Sequence, residues 1–431
     1  MKLSGWGNYP AIEGELFVFE TEEHLKRLLA EKSPLIPFGN GRSYGDSALY
    51  ERVIDCRGSD LMLGFDSDTG LLRCRAGILL DDIIRVFLPK GWFLSVTPGT
   101  RLITVGGAIA ADVHGKNHHV KGCFSSCVKS FRLMTHEGAV MCSRAENRDL
   151  FLATCGGMGL TGVVTEAEIY LKKAGSSRIE QTMIKTANLS ETFEAFEKYS
   201  DAPYSVAWID CLGSGEKTGR CLLMTGDFAA AGSLAVKRKK AVTVPFNFPA
   251  FTLNSLSVKA FNSLYYSKAP SGVSKSAVDV NAFFYPLDSL NRWNRIYGSK
   301  GFVQYQFILP KSVSFDGLSE ILREISSSGK GSFLAVMKLY GPENDNYLSF
   351  PVEGYSLALD FRVESGLFPL LNRLDKLVVK NGGRIYLAKD ARMSREVFEA
   401  GYPQAEIFRD IRKKYGFGAK FRSLQSERLG L

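Results

Sequence analysis

Between Phe17 and Lys172, short apolar runs alternate with breaks rich in Gly, Asp and Ser. The stretches "SPLIPFG", "RVIDCRG", "GLLRCRAG", "SFRLMTHEG", "AVMCSR" and "GVVTEAEIYL" have the length and bounding residues of β-strands. "TEEHLKRLLAEK" and "LLDDIIRVFLPKG" instead show helical periodicity, the first with Thr21 as N-cap ahead of acidic residues. After "KKAGSS" (172–177) the segments lengthen. "LSETFEAFEKYSD" predicts a helix and "SVAWIDCL" and "GFVQYQFILP" predict strands, while "GLFPLLNRLDKLVVKNGGRIYLAKD" reads as helix, Gly turn and strand. The pattern is α+β with a second sheet, and residues 241–280 fit neither period.

At 431 residues the chain exceeds what one core usually organises, so two domains are expected. Its 45% hydrophobic and 23% charged content is that of a soluble globular enzyme. The net charge of +9 raises nucleic acid, phosphate-rich ligands or an anionic membrane. Basic residues are mostly interspersed with acids and no zinc-finger, RNA-recognition or basic-zipper pattern occurs, so no nucleic-acid partner is expected. One run stands apart, Lys237 to Lys240, followed by "AVTVPFNFPAF". It reads either as a solvated helix end or as a peripheral contact with an anionic membrane. The eight cysteines lack paired C-x-x-C spacing, and no apolar run approaches a membrane span. We expect a reducing, cytoplasmic setting, with peripheral contact at the inner membrane as a further expectation.

Candidate chemistry begins with "IPFGNGRSYGD". Gly39, Asn40, Gly41, Arg42, Ser43, Tyr44 and Gly45 follow an apolar strand, and such a loop can close successive backbone N–H groups around a phosphate. A tight surface turn is the plain alternative. A second run, "TPGTRLITVGGAIAADVHGKNHH" (97–119), is crowded with small residues that suit a backbone pressed against a flat ligand. Together the loops suggest a diphosphate carrying a planar ring. "GMGLTG" (157–162) matches G-x-G-x-x-G, but a helix precedes it and a strand follows, the reverse of a dinucleotide fold, so it is rejected as a Rossmann site. His114, His118, His119, Cys123 and Cys127 offer zinc ligands, yet Gly115 and Gly122 break a rigid helix and Lys116 and Lys121 add charge, so no metal is expected.

"GNGRSYGD", "TPGTRLITVGGAIAADVHGKNHH" and "GGMGLTGVVTEAEI" resemble the flavin domain of the vanillyl-alcohol-oxidase type. With "YSVAWIDC", "FFYPLD", "WNRIYG", "GFVQYQFILP", "MKLYGP" and "GGRIYLAKDAR" the resemblance runs nearly the whole chain, toward the decaprenylphosphoryl-β-D-ribose 2'-oxidase family. It implies a two-domain FAD-binding fold with an FAD domain over 1–174, a substrate domain over 175–383, and a segment 384–431 returning to the first. It also implies FAD held by Pro37, Gly39 to Ser47 (with Asp46), Gly99, Thr104, Val105, Gly106, Gly107, Ala111, Asp112, Val113, His114, Val164 and Tyr386. Many relatives bond a first-loop His to the flavin, and bicovalent members add a second-loop Cys. Arg42 occupies the first position and the second loop has no such Cys, so dissociable FAD is expected.

The resemblance implies that Lys389 is the catalytic lysine, with Tyr386 and His114 beside it, and that Gln304, Gln306, Lys338, Lys116, Ser205, Ser356 and Ala358 meet the substrate. Oxidising an alcohol needs an electron-pair acceptor and a proton acceptor, and a lysine becomes the latter when burial or nearby charge lowers its pKa. Tyr386 and Lys389 would lie on opposite faces of a strand, so a bend is required there. Ala358 and Ser356 stand where mycobacterial members carry Cys and Asn. The implied activity is oxidation of a sugar secondary hydroxyl, the 2'-hydroxyl of a lipid-phosphate-linked pentose, as one half of an epimerisation with an NAD(P)H-dependent reductase partner. Two alternatives stay open: an aldonolactone or alditol oxidase acting on free sugars with oxygen, and a membrane-binding protein with a vestigial flavin fold.

Overall fold

A computed structural model of the chain describes residues 1–236 and 241–431; the basic run Lys237 to Lys240, offered above as a membrane contact, lies outside the described residues. Near the N-terminus, strands Glu15–Val18 and Ile36–Phe38 pair in parallel on either side of Arg52–Asp55. Helix Glu22–Ala30 makes the crossover. Thr21 caps it by accepting from the His24 N–H at 3.2 Å, and it buries Leu25, Leu28 and Leu29, each worth roughly 1.5–3 kcal/mol. The glycine-rich loop leaves the carboxyl end of Ile36–Phe38, the end at which parallel strands present loops to ligands.

A six-stranded antiparallel sheet follows, in the order Ala139–Ser143, Val128–Met134, Val163–Lys173, Leu71–Arg75 and Met62–Asp66, with Trp92–Leu94 on the far half of Val163–Lys173. Helix Val105–Ala110 packs on its long central strand, carrying the second small-residue run with it.

The larger sheet has eight antiparallel strands in the order Val273–Asp279, Arg178–Thr186, Cys221–Phe228, Tyr204–Ile209, Ala335–Tyr340, Gly354–Arg362, Phe302–Pro310 and Arg384–Ile385. Period-2 alternation splits its residues. Val303, Tyr305, Phe307, Leu357, Leu359 and Phe361 are buried in the core under helices Ser314–Ser328 and Leu367–Lys380, with the Tyr305 hydroxyl donating to Asp375 at 3.0 Å. The intervening Gln304, Gln306, Val336, Lys338 and Ala358 line a cleft on the other face.

Two segments differ from the sequence reading. Within 241–280 the chain forms helix Ser255–Lys268 and strand Val273–Asp279. The helix starts from a capping box of Asn254 and Ser257 but buries only Val258 and Asn262, so no apolar stripe marks it. In "RIYLAKD" the strand is only Arg384–Ile385 and gives way to a 3-10 turn at Leu387–Lys389. The last helices pack against the first loops: Arg428 bridges Asp46 and Asp390 at 2.8 Å each, and Gln425 donates to the Leu387 carbonyl at 2.8 Å. Among the described residues no helix is long and apolar enough to cross a membrane.

Candidate active site

The two glycine-rich loops are locked together. Asn40 Nδ2 donates to the Leu102 carbonyl at 2.8 Å, and a Cβ on Gly39 would sit 2.5 Å from Thr104 Oγ1, so only glycine permits this approach. Gly41 holds φ at +58°, a left-handed turn that swings the loop back. The backbone N–H groups of Gly39, Asn40, Gly41, Arg42 and Ser43 make no hydrogen bond within the described residues. Such a succession of unmet donors is an anion cradle. Arg42 adds a guanidinium 3.9 Å from the centre of the Trp6 ring, with a buried Nε that has no partner. Thr104 caps helix Val105–Ala110, accepting from the Gly107 N–H at 3.0 Å.

Across from the loops, the polar face of the eight-stranded sheet closes a cavity of about 590 Å³. Its side chains are arranged by the ladder, which pairs Gln304 with Asp360, Gln306 with Ala358 and Lys338 with Ser356. Gln304 Nε2 donates to Asp360 Oδ1 at 2.6 Å, so its carbonyl oxygen is the end left to meet a ligand. Burial raises Asp360 to about 7, against the Gln304 hydrogen bond and the Lys389 charge. Lys116 donates to the Phe283 carbonyl. Burial lowers it to about 7, helped by the charge of Lys338, itself lowered to about 8 by burial.

The 3-10 turn solves the geometry of Tyr386 and Lys389. Residues three apart eclipse in a 3-10 turn, so both side chains reach the cleft that strand geometry would have divided between them. Lys389 Nζ lies 3.8 Å from the centre of the Tyr44 ring and makes no hydrogen bond within the described residues. Burial lowers it to about 7, with the Lys338 charge adding and Asp360 opposing. The Tyr386 hydroxyl donates to the Ala111 carbonyl at 2.7 Å, and burial pushes its pKa well up. His114 Nε2 accepts from Gln306 Nε2 at 3.0 Å, its Nδ1 is buried without a partner, and burial holds the ring well below its usual range.

Of the residues singled out from the sequence, Pro37, Gly39 to Tyr44, Ser47, Gly99, Thr104, Gly106, Gly107, Ala111, Val113, His114, Lys116, Val164, Gln304, Gln306, Lys338, Ala358, Tyr386 and Lys389 converge on the cleft. The others do not line it. Gly45 turns away, since a Cβ there would overlap the Asp390 carbonyl, and Asp46 is ion-paired with Arg428. Val105 is fully buried, being the first residue of its helix. Asp112 is turned from the cleft into a buried network, accepting from the Ser125 N–H at 2.9 Å and from Asn344 and Asn346 at 2.7 Å each. Ser356 lies behind Gln306, whose amide reaches it at 3.4 Å. Ser205 is buried outside the cleft, although its strand neighbours Val206, Ala207 and Trp208 line it.

His118 and His119 serve the fold. The first accepts from the Gly341 N–H at 3.2 Å and the second meets the Ala202 carbonyl at 2.8 Å. Sequence reasoning missed Trp6 and Asp288, which line the cleft, and Asp360, which accepts from Gln304; "GMGLTG", rejected as a Rossmann site but quoted in the flavin resemblance, lies between helix Arg148–Thr154 and strand Val163–Lys173 as that rejection required, and its Met158, Gly159 and Gly162 line the cleft. Asp288 ties the halves together, accepting from Thr100 Oγ1 at 2.7 Å and the Arg101 N–H at 2.9 Å. Asp360 was within reach of the sequence, because alternation through Ser356 and Ala358 brings it to the same face.

The unmet N–H cradle, the orphaned Arg42 Nε and the small-residue wall fit the diphosphate and ring of FAD. The FAD binding domain family matches residues 16–143. Decaprenylphosphoryl-beta-D-ribose oxidase of Mycolicibacterium smegmatis is 36% identical over 451 residues, covering 100% of this chain and 97% of that protein. A Streptomyces coelicolor protein described as "Uncharacterized protein in mprA 5'region" is 30% identical over 375 residues, 82% of this chain and 100% of that protein. D-lactate dehydrogenase of Anaerostipes hadrus is 25% identical over 158 residues, 35% of this chain and 33% of that protein. The chain is an FAD-dependent oxidoreductase and belongs to the decaprenylphosphoryl-beta-D-ribose oxidase family.

Proposed function

We propose that this protein oxidises the 2'-hydroxyl of a lipid-phosphate-linked pentose to a ketone, the first half of an epimerisation that a separate NAD(P)H-dependent reductase completes. The observation that carries the reading is the convergence of Lys389, Gln304, Gln306, Lys116 and Lys338 on the cleft that also opens onto the N–H cradle. The name of the M. smegmatis relative, an oxidase of decaprenylphosphoryl-ribose, supports the substrate class. We propose a cytoplasmic setting, with peripheral contact at the inner membrane as the further reading.

The first-loop N–H groups, Arg42 and the second loop would hold FAD, which would supply the electron-pair acceptor that the side chains lack. Lys389 takes the hydroxyl proton. With its pKa near 7 a large fraction is neutral at neutral pH, as a base must be. His114 is the weaker base, since its Nε2 is engaged by Gln306 and burial makes the ring hold a proton poorly. Tyr386, its hydroxyl tied to Ala111, positions the turn that carries Lys389. Gln304 and Gln306 orient the sugar hydroxyls, and the amino groups of Lys116 and Lys338 offer N–H donors to the phosphate. Trp208, Phe261 and Tyr265 give the cleft an apolar side suited to the lipid.

The test is anaerobic bleaching of the flavin absorption by a panel of sugars. A polyprenyl-phosphopentose bleaches it, whereas free pentoses, alditols and aldonolactones do not; the opposite pattern would make the protein a free-sugar oxidase. Acid precipitation of the same preparation releases the yellow colour, because Arg42 stands where relatives carry the anchoring His. Colour kept in the pellet would contradict non-covalent FAD.

A further inference from the structure

The described residues bury seven aspartates: Asp46, Asp55, Asp112, Asp210, Asp360, Asp375 and Asp390. Five are ion-paired with arginine, Asp46 and Asp390 with Arg428, Asp55 with Arg57, Asp210 with Arg220 and Asp375 with Arg392. Asp112 has three N–H donors in place of an arginine. Asp360, 2% exposed, differs from all of these. It accepts from the Gln304 amide at 2.6 Å and from the Tyr297 hydroxyl at 3.3 Å, and it makes no ion pair among the described residues. A carboxylate held out of water costs stability unless a cation offsets it, so one without its own arginine marks a group kept for another reason.

The cleft holds the opposite case. Lys389 is a buried amine seated on the Tyr44 ring with no oxygen acceptor within the described residues. The two groups share one aromatic wall. Phe302 packs edge-on against Tyr44 with ring centres 5.4 Å apart and stacks on Tyr297 at 4.2 Å, so the ring under the lysine and the phenol on the carboxylate flank the same side chain. Gln304 lines the cleft and Asp360 lies behind it, so a substrate meets the amide and not the acid. Each charge acts on the other: burial raises Asp360, against Gln304 and Lys389, and burial lowers Lys389, against Asp360 and with Lys338 adding. Tyr44, Tyr297 and His114, the other titratable groups around the pair, stay neutral, since burial pushes both phenols up and the imidazole down. Taking a hydroxyl proton turns Lys389 into an ammonium inside the protein, and a charge created there is stabilised by an opposite charge already in place.

We propose that Asp360 is a positioning residue for the oxidation: through Gln304 it turns an amide oxygen toward the substrate, and its carboxylate is the counter-charge for the ammonium that Lys389 becomes. The inference rests on Lys389 as the base in the reading above. The substrate O–H bond breaks and an N–H bond forms on Lys389, while Asp360 remains a carboxylate throughout.

The test is Asp360→Asn in FAD-loaded full-length protein. The amide is isosteric and still accepts from Gln304, so the charge alone is removed. Acetic anhydride labelling of Lys389 as a function of pH, read by peptide mass spectrometry, follows the neutral amine without any substrate. Its midpoint falls by about one pH unit in the variant. With a water-soluble, short-alkyl phosphopentose, the low-pH limb of anaerobic flavin reduction moves down with it, and the plateau falls by up to about tenfold, the factor by which the amine then holds a proton less well. In a Lys389→Ala background Asp360→Asn costs nothing further. The thermal midpoint at about pH 8 equals or exceeds that of wild type, because a buried charge without a partner arginine is gone. An unmoved labelling midpoint would overturn the counter-charge. So would a lowered thermal midpoint or a loss of folded protein, either of which would make Asp360 a structural residue. A labelling shift in the variant, together with no flavin reduction by the phosphopentose in wild type, leaves the pair standing and overturns the substrate reading instead.

Discussion

Lys420 and Lys389 both lie inside the protein, in different regions, and they are used differently. Lys420, 4% exposed, donates to the carbonyls of Leu28, Glu31 and Ser33 at 3.2, 2.5 and 3.2 Å. These oxygens cluster at the C-terminal end of helix Glu22–Ala30, where carbonyls lack helical partners and the dipole favours a cation. All three of its donors are matched, and it clips the chain end to the first crossover helix. Lys389 has no oxygen acceptor among the described residues and lies against the Tyr44 ring on the cleft wall. Burial alone does not mark a chemically active lysine; donors left unmatched beside a cavity do.

The largest effect expected from this contrast is at Lys389. Lys389→Ala slows flavin reduction by about a hundred- to ten-thousandfold while FAD binding and thermal midpoint stay near wild type. His114→Ala slows it less. A stopped-flow comparison of the two variants reversing that order would reassign the base. Lys420→Met sharpens the other side. It leaves buried carbonyls without a donor, a cost of about 1–3 kcal/mol, seen as a lower thermal midpoint with unchanged flavin reduction per bound FAD. Slower reduction at an unchanged midpoint would break the distinction.

The loop wall was legible because glycine runs announce themselves: Gly39 and Gly41 are required by close approach and positive φ. A run does not show where it leaves the ligand. Gly45, Asp46 and Asp112 belong to the same quoted stretches but are held by Asp390, Arg428 and Ser125 with its asparagine neighbours, contacts formed with distant parts of the chain. The sheet wall was legible where alternation could be followed, as for Gln304 and Gln306, and the same rule would have reached Asp360. Ser205 and Ser356 needed the register. The bend placing Tyr386 beside Lys389 was demanded by the chemistry, but its form, a 3-10 turn, came only with the fold. Helix Ser255–Lys268 was hidden because a helix with two buried residues has no stripe to read.

The account turns on Lys389 being neutral when it takes the proton, and the pH dependence of anaerobic flavin reduction tests this directly. Burial lowers this lysine to about 7, and only the neutral amine can accept a proton. The rate therefore reaches its plateau above pH 7 and falls about tenfold per unit below it, whereas Lys389→Ala is slow and lacks that limb. A limb that persists in Lys389→Ala at the same midpoint, or that vanishes in His114→Asn instead, would contradict the assignment.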